Sequence, residues 1–314
     1  MRRTTCTPEL EVAMDNWSLG DIEVISRAIV SAPSIRGSWP WDLRLDGSRA
    51  EIHERPPSTN AQRLTSAPRA DRLIACGASI ANVELAMHAL GRKIETTLLP
   101  DPRHPDLVAT IRTVGSASAS STDLRLFSAL ARRRSHREAF AEIPVPAATI
   151  GDVVAAARIG GVTATLLAPD QASALADVLL YSEHRIRHEP HRRDIVPWTT
   201  HWLPRGGRAS VDAFHTVLAR EVSDSVLTCE VSDSVRLAAA IESETVLVFT
   251  SETQEPIDLL VTGIAMERAW LTAVDARLSA SVLSHPLRID DSAQRLAHRL
   301  NLTSHPQLIL RIGY

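Results

Sequence analysis

LIACGASIANVELAMHALG at 73–91 and LLVTGIAMERAWLTAVDARL at 259–278 decide the fold. Both stretches are long and apolar nearly all round, the pattern of helices buried on every side rather than on one stripe. Laid together, Gly77 falls on Gly263 and Leu85 on Leu271. Each stretch runs into a candidate strand, ETTLLP at 95–100 and SASVLS at 279–284. The halves close on similar strands, IRTVG at 111–115 and LRIGY at 310–314. A repeated helix–strand–strand unit predicts two fused copies of one element, an internal pseudo-dimer that acts as a monomer.

Outward from these helices, the elements are mixed. Ile22, Ile25, Ile29 and Val30 sit at helical spacing in 19–32, and Pro33 ends that helix. Trp41 to Leu45 and Ala50 to His53 alternate about Asp46-Gly47, a hairpin signal. Residues 56–70 read as loop, and Gly91 as the cap of the helix over 71–91. Strands are expected at 94–99 and 108–114, and GSASASST at 115–122 reads as a linker. Beyond it, helices are expected near 123–132, after Pro146, at 169–188, 256–277 and 291–300. Strands are expected at 162–168, 246–250, 279–284 and 307–312. Without regular βαβ alternation, the fold class is α+β. The expected division is a first half, 1–115, a linker, 116–122, and a second half, 123–314. The duplicated EVSDSV at 221–226 and 230–235 reads as expansion in a tolerant surface loop.

Composition narrows the function classes. Hydrophobic residues make up 44% of 314, and the formal net charge is -3. That balance gives no pull toward nucleic acid or anionic membrane. Cys6, Cys76 and Cys229 are odd in number and far apart, which fits a reducing compartment rather than a disulfide framework. The opening MRRTTCTPELEVAMDNW has no apolar core of a signal peptide, and no apolar run spans a bilayer, so a cytoplasmic location is expected. His184, His188 and His191 lie near carboxylates, but Arg185, Arg187, Arg192 and Arg193 would repel a cation, and no metal site is expected.

The chemistry concentrates in ARRRSHREAF at 131–140. Arginine forks beside a hydroxyl match phosphate oxygens bidentately. A solvated basic helix end is the plain alternative for such a run, but this one ends a helix and leads through FAEIPVP into the next.

RRSHREAF followed by PVP resembles the opening motif of the nitroreductase superfamily, where an Arg-x-Ser-x-basic pattern grips the FMN phosphate. APSIRGSWPWDLRLD at 32–46 resembles that family's second motif. The 262–287 stretch is similar to its long central helix and following strand, and PQLILRIGY to its closing strand. The motif order is swapped relative to ordinary members, as in the Acg-type branch, a fused form with one flavin site per chain. The resemblance implies that Arg133, Ser135 and Arg137 hold the phosphate. It implies that Pro33, Ser34 and Ile35 present groups to the ring and ribityl chain from the other half, and that Leu283 and Ser284 lie along one ring face. Gly37 and Trp39 stand where the family often has Asn and Gln, and Arg288 where an acidic residue often follows. The chain stops at Tyr314, where the family usually continues into a tail with further arginines.

The function so implied is an FMN-dependent oxidoreductase with NAD(P)H as electron donor and a nitro or quinone-like acceptor. The alternative is flavin storage with little turnover. The two differ in whether 189–210, with Pro190, Pro197, Trp198, Trp202, Pro204, Gly206 and Gly207, covers the flavin as a lid. Trp198 and Trp202 either lie on a flavin face or pack locally.

Overall fold

The computed structural model describes residues 10–12, 17–35, 38–57, 67–187, 198–202 and 224–314. The chain forms two compact units that interleave along the sequence. The first takes Met1–Arg133, Ala148–Thr163 and Ser251–Arg277; the second takes Arg134–Ala147, Ala164–Thr250 and Leu278–Tyr314.

The first unit opens with β1 (Leu10–Val12) and α1 (Leu19–Val30). Ser18 starts α1 through a capping box with Asp21, which satisfies two otherwise unpaired N–H groups. β2 (Trp41–Asp46) and β3 (Arg49–Glu54) form the expected hairpin, closing at the Asp46–Arg49 pair with Gly47 at φ +53°. The alternation read from Trp41, Leu43 and Leu45 is the alternation of burial. Next come α2 (Arg69–Ala89), β4 (Arg92–Leu98), β5 (Leu107–Ser116) and α3 (Ser121–Leu130). The chain turns out of α2 through Gly91, whose φ of +74° favours glycine. The five strands lie in the order β1-β2-β3-β5-β4, with β1 parallel to β2 and the other pairs antiparallel.

α4 (Ala147–Ala156) follows, with all but its first residue in the first unit. The second unit then takes most of β6 (Thr163–Leu166), α5 (Ala172–Arg187), α6 (Asp224–Glu242) and most of β7 (Thr245–Ser251). α7 (Pro256–Asp275) belongs to the first unit; β8 (Ser279–Leu283), α8 (Ser292–Arg299) and β9 (His305–Gly313) belong to the second. The sheet order there is β6-β7-β9-β8. This mixture of helices and sheets, without βαβ alternation, is the expected α+β class.

The two stretches that opened the sequence, now α2 and α7, pack together inside the first unit. Nearly every residue of both helices from their second turn onward is buried. Their crossing falls on the matched glycines. A Cβ on Gly77 would sit 2.0 Å from the Leu260 carbonyl oxygen and 2.9 Å from the Gly263 Cα; one on Gly263 would sit 1.9 Å from the Ile74 carbonyl oxygen. The backbones are in contact, which only glycine permits.

Two elements differ from expectation. β1 falls in the opening stretch, for which no strand is expected; three residues are too few to show a period. α6 runs through the second EVSDSV copy, where the sequence pattern predicts a surface loop; part of the first copy lies outside the described residues. Leu237 and Ile241, four apart and buried, set its inner face, and the Ser234 hydroxyl donates to Asp177 at 2.8 Å. A helix satisfies its backbone internally, so a polar stretch joins it when a few apolar residues at the right spacing anchor one face.

Candidate functional site

The basic segment begins in the first unit, where α3 ends. Arg133 is 8% exposed. Its Nη2 donates to the Ser31 carbonyl at 2.7 Å, its Nε lies 3.4 Å from Glu267 Oε1, and its guanidinium stacks over Trp270 at 4.4 Å. Ser31 caps the C-terminus of α1 and so stands at the entrance to Pro33, Ser34 and Ile35. That triplet enters a turn in which Ile35 and Ser38 exchange both backbone hydrogen bonds, at 3.0 and 2.9 Å, while the Ser38 hydroxyl also donates to the Ile35 carbonyl. Pro33 has no N–H and the Ile35 N–H is committed, so exposed Ser34 is the polar side chain the triplet offers. Trp39 donates to the Val30 carbonyl at 3.3 Å, and Gly37 lies outside the described residues.

Glu267, on α7, is fully buried. Burial pushes its carboxyl up to about 7, with the Arg133 charge and the Asn82 side chain acting in the opposite direction. Neither carboxyl oxygen has a hydrogen bond of good geometry.

In the second unit the segment continues beside β8. Ser135 forms a parallel bridge with Ala280, and the His136 N–H donates to the Ala280 carbonyl at 3.0 Å. Ser135 and Arg137 are exposed. The end of the segment is fastened to β9. Gly313 leaves room for the Phe140 ring, which a Cβ there would meet at 2.5 Å, and the Ala141 N–H donates to the Tyr314 carbonyl at 3.0 Å. Fully buried Arg311 grips Glu244 at 2.6 and 2.8 Å, donates to the Glu138 carbonyl at 3.3 Å, and stacks over Trp202 at 4.2 Å. Burial lowers the pKa of Arg311, and Glu244 opposes that shift. The Phe140 N–H donates to the same carboxylate at 3.2 Å.

β8 ends at Leu283, whose side chain is packed into the core of the second unit, and Ser284 follows, half-buried. Trp198 and Trp202 belong to that same core. The Trp198 indole donates to the Leu179 carbonyl at 3.0 Å and meets His285 edge-on at 5.7 Å. Thr199, between them, donates to buried Glu183 at 2.7 Å. The two tryptophans therefore pack locally rather than offering a free flat face; burying an indole against apolar neighbours outweighs leaving it exposed. The rest of the expected lid, 189–197 and 203–210, lies outside the described residues, as do His188 and His191. Arg288 donates to the Gln307 carbonyl at 2.9 Å, a structural use. Among the described residues no metal-binding group of His, Cys, Asp or Glu gathers, and no helix is long and apolar enough to cross a membrane.

The Nitroreductase family model matches residues 130–314, from the end of α3 through β9. The chain belongs to the nitroreductase family. A Mycobacterium tuberculosis H37Rv protein named "Putative NAD(P)H nitroreductase Rv3131" is 26% identical over 310 residues, covering 95% of this chain and 87% of that protein. "Uncharacterized protein Rv3127" of the same organism is 22% identical over 292 residues, covering 90% and 83%. Among solved structures, a Bacteroides fragilis nitroreductase with bound FMN is 11% identical, covering 60% of this chain and 87% of that one, with a TM-score of 0.39.

The family match thus begins at the basic segment from which the resemblance was drawn. Within this nitroreductase, the residues that sequence reasoning missed are buried partners: Glu267 and Asn82 beside Arg133, and the Arg311–Glu244 pair. Glu267 carried a signal, since an acid in the apolar middle of a long helix calls for a partner. Arg311 and Glu244 lie 67 residues apart, and nothing in one sequence joins them.

Proposed function

We propose that this chain is an FMN-dependent oxidoreductase that accepts a hydride from NAD(P)H and passes electrons to a nitro or quinone-like acceptor. Two exposed groups carry this reading: the Ser135 hydroxyl and the Arg137 guanidinium, at the head of the family-matching region. Among the described residues neither side chain makes a hydrogen bond or ion pair, so their donors fit a phosphate without breaking existing contacts. Arg133 is spoken for by Ser31 and Glu267, so we assign it to holding the segment before Pro33 and leave the phosphate to Ser135 and Arg137. Ser34 is the polar group of the Pro33–Ile35 turn offered to the flavin. Ser284 and the backbone at Leu283 are the groups we assign to the ring. Bound FMN supplies the redox chemistry; these residues bind it and orient it.

The name of the Mycobacterium tuberculosis relative points to NAD(P)H as the donor. A storage role needs a cover over the ring, and the two tryptophans expected to supply it, Trp198 and Trp202, are packed in the second unit's core, while 189–197 and 203–210 lie outside the described residues. Turnover is therefore the reading we adopt. We further propose that the halves 1–115 and 123–314 are fused copies acting as a monomer. Purification without added flavin, a visible spectrum, and NADPH and NADH oxidation with a quinone acceptor form the test. The expected result is flavin absorbance near stoichiometric with the chain and acceptor-dependent oxidation. A colourless protein that takes up no added FMN refutes the proposal.

A further inference from the structure

We propose that Glu267 is a positioning residue for flavin binding: its buried carboxylate holds the Arg133 guanidinium on the Ser31 carbonyl and so fixes the entry into the Pro33–Ile35 turn. The proposal rests on the flavin reading above. Its parts all lie in the first unit. Glu267 sits on α7, at 0% exposure, with Arg133 Nε at 3.4 Å. Arg133 spans from that carboxylate to the Ser31 carbonyl at 2.7 Å, backed by Trp270. Asn82 faces the same carboxylate from α2, and its amide nitrogen donates to the Ala28 carbonyl of α1 at 3.1 Å. The last turn of α1 is thus held by two side chains, Arg133 and Asn82, that both act on Glu267.

A buried carboxylate with two orphaned oxygens is costly, and a helix as apolar as α7 would be more stable without it. Retaining such a group fits a task other than stability. Arg133 is the charged group that acts on it; other charged groups on the elements packed against α7 are paired elsewhere, Glu84 with Arg268, Arg125 with Asp275 and Asp123 with His88. Burial pushes the Glu267 carboxyl up to about 7, so the ionised form that holds Arg133 is lost as the pH falls through neutrality.

Stability and flavin hold should therefore move in opposite directions. Removing the charge relieves the fold and loosens the turn, whereas a merely structural residue would move both the same way. The test titrates flavin-free protein with FMN and with riboflavin between pH 6 and 8.5, following flavin fluorescence, beside thermal melts of the flavin-free chain. For the parent, both dissociation constants should rise roughly tenfold toward pH 6, the size of one lost charge-assisted contact. Glu267→Gln should bind as weakly at pH 8.5 as the parent does at pH 6, with no loss of melting temperature at pH 8.5.

Parent-like binding by Glu267→Gln overturns the proposal, as does a pH dependence that survives the substitution. A dependence seen with FMN but not riboflavin belongs to the phosphate and also overturns it. Where Glu267→Gln fails to fold, Arg133→Lys decides: its compact ammonium cannot span Ser31 and Glu267, so it should bind weakly and without pH dependence, and parent-like titrations refute the idea. A parent that binds neither flavin at any pH refutes the proposed function itself, a result distinct from flavin binding that ignores Glu267.

Discussion

Replacing Gly77 by alanine tests the α2–α7 crossing directly. Two effects oppose each other. Alanine in a helix interior is favoured over glycine by about 1 kcal/mol. Against that, the new Cβ would lie 2.0 Å from the Leu260 carbonyl oxygen, where ordinary contact begins at 3.4 Å. That oxygen belongs to backbone within a helix buried almost all round, so no side chain can swing aside. The helices must part by about 1.4 Å at the crossing, the gap between those two distances. A separation of even 0.5–1 Å forfeits roughly a quarter to a half of each dispersion contact, and overpacking typically costs about 1–3 kcal/mol. With a backbone clash this close the cost falls at the top of that range, the clash wins, and a net loss of about 2 kcal/mol is expected for Gly77→Ala. Gly263→Ala, with its Cβ 1.9 Å from the Ile74 carbonyl oxygen, should cost as much. The double variant should cost less than the two losses together, because one parting of the helices relieves both clashes. Urea denaturation followed by circular dichroism measures all three. Gly151→Ala is the control: it is exposed in α4 with nothing within 4 Å of the new Cβ, and should gain up to about 1 kcal/mol. Should Gly77→Ala fall within about 0.5 kcal/mol of the parent, the range of ordinary surface changes, the close crossing is refuted.

Arg137→Ala with Ser135→Ala should raise the FMN dissociation constant more than tenfold while leaving riboflavin affinity nearly unchanged, since only the phosphate loses its donors; equal weakening for both, read by fluorescence titration, would contradict the assignment. Glu267 has a folded pKa of about 7 against an ordinary 4.5, so the stability its protonated form contributes is fully present below 4.5 and lost as the pH rises through about 7. Glu267→Gln should remove that decline, leaving the variant about 3 kcal/mol more stable than the parent at pH 8 in urea melts. Glu244→Gln strands the fully buried Arg311 and should cost about 3–5 kcal/mol by the same assay. Trp198→Ala should cost about 3–5 kcal/mol, as a core truncation does, and leave the rate of flavin reduction by NADPH unchanged in stopped flow; a faster rate would assign Trp198 to a lid instead.

The sequence disclosed the fold where one physical term dominated. α2 and α7 showed because their length and apolarity leave no solvent face, and the pairing of Gly77 with Gly263 showed because only glycine survives backbone contact. The hairpin showed because Trp41, Leu43 and Leu45 alternate with polar residues. α6 did not show: its polar EVSDSV copies carry no period, and the anchoring residues are two, Leu237 and Ile241. At the candidate site, Ser135 and Arg137 stood out in the sequence as candidate phosphate groups, and the structure leaves both exposed. The burial of Arg133 was not, because three consecutive arginines look alike until the neighbours that decide which one turns inward are known. The tryptophans of 189–210 were ambiguous for a similar reason, since an indole serves equally as a lid face or as core.

The buried ion pairs explain why a run of arginines at a helix end differs from a solvated one. Before the exposed residues, in the first unit, Arg133 is drawn inward to Glu267 and the Ser31 carbonyl. After them, in the second unit, Arg311 and Glu244 clasp the Glu138 carbonyl and the Phe140 N–H. Buried pairs of this kind seldom add net stability over well-packed apolar residues, because desolvating two charges costs about as much as their attraction returns. What they do supply is direction, since a guanidinium that bonds a particular carbonyl fixes the backbone carrying it. Within the second unit, the backbone that follows Arg137 is thereby fixed by Arg311 and Glu244. Ser135 and Arg137 remain exposed on a backbone already fixed beside Ala280, so little ordering is left for a bound phosphate to impose. On the proposed reading Arg311, with Glu244, acts on an anion without touching it. Loss of that clasp should weaken FMN binding through disorder of the segment rather than through loss of charge, and added salt should therefore weaken binding in the Arg137→Ala protein less than in the parent, while the Glu244→Gln protein keeps the parent's salt sensitivity.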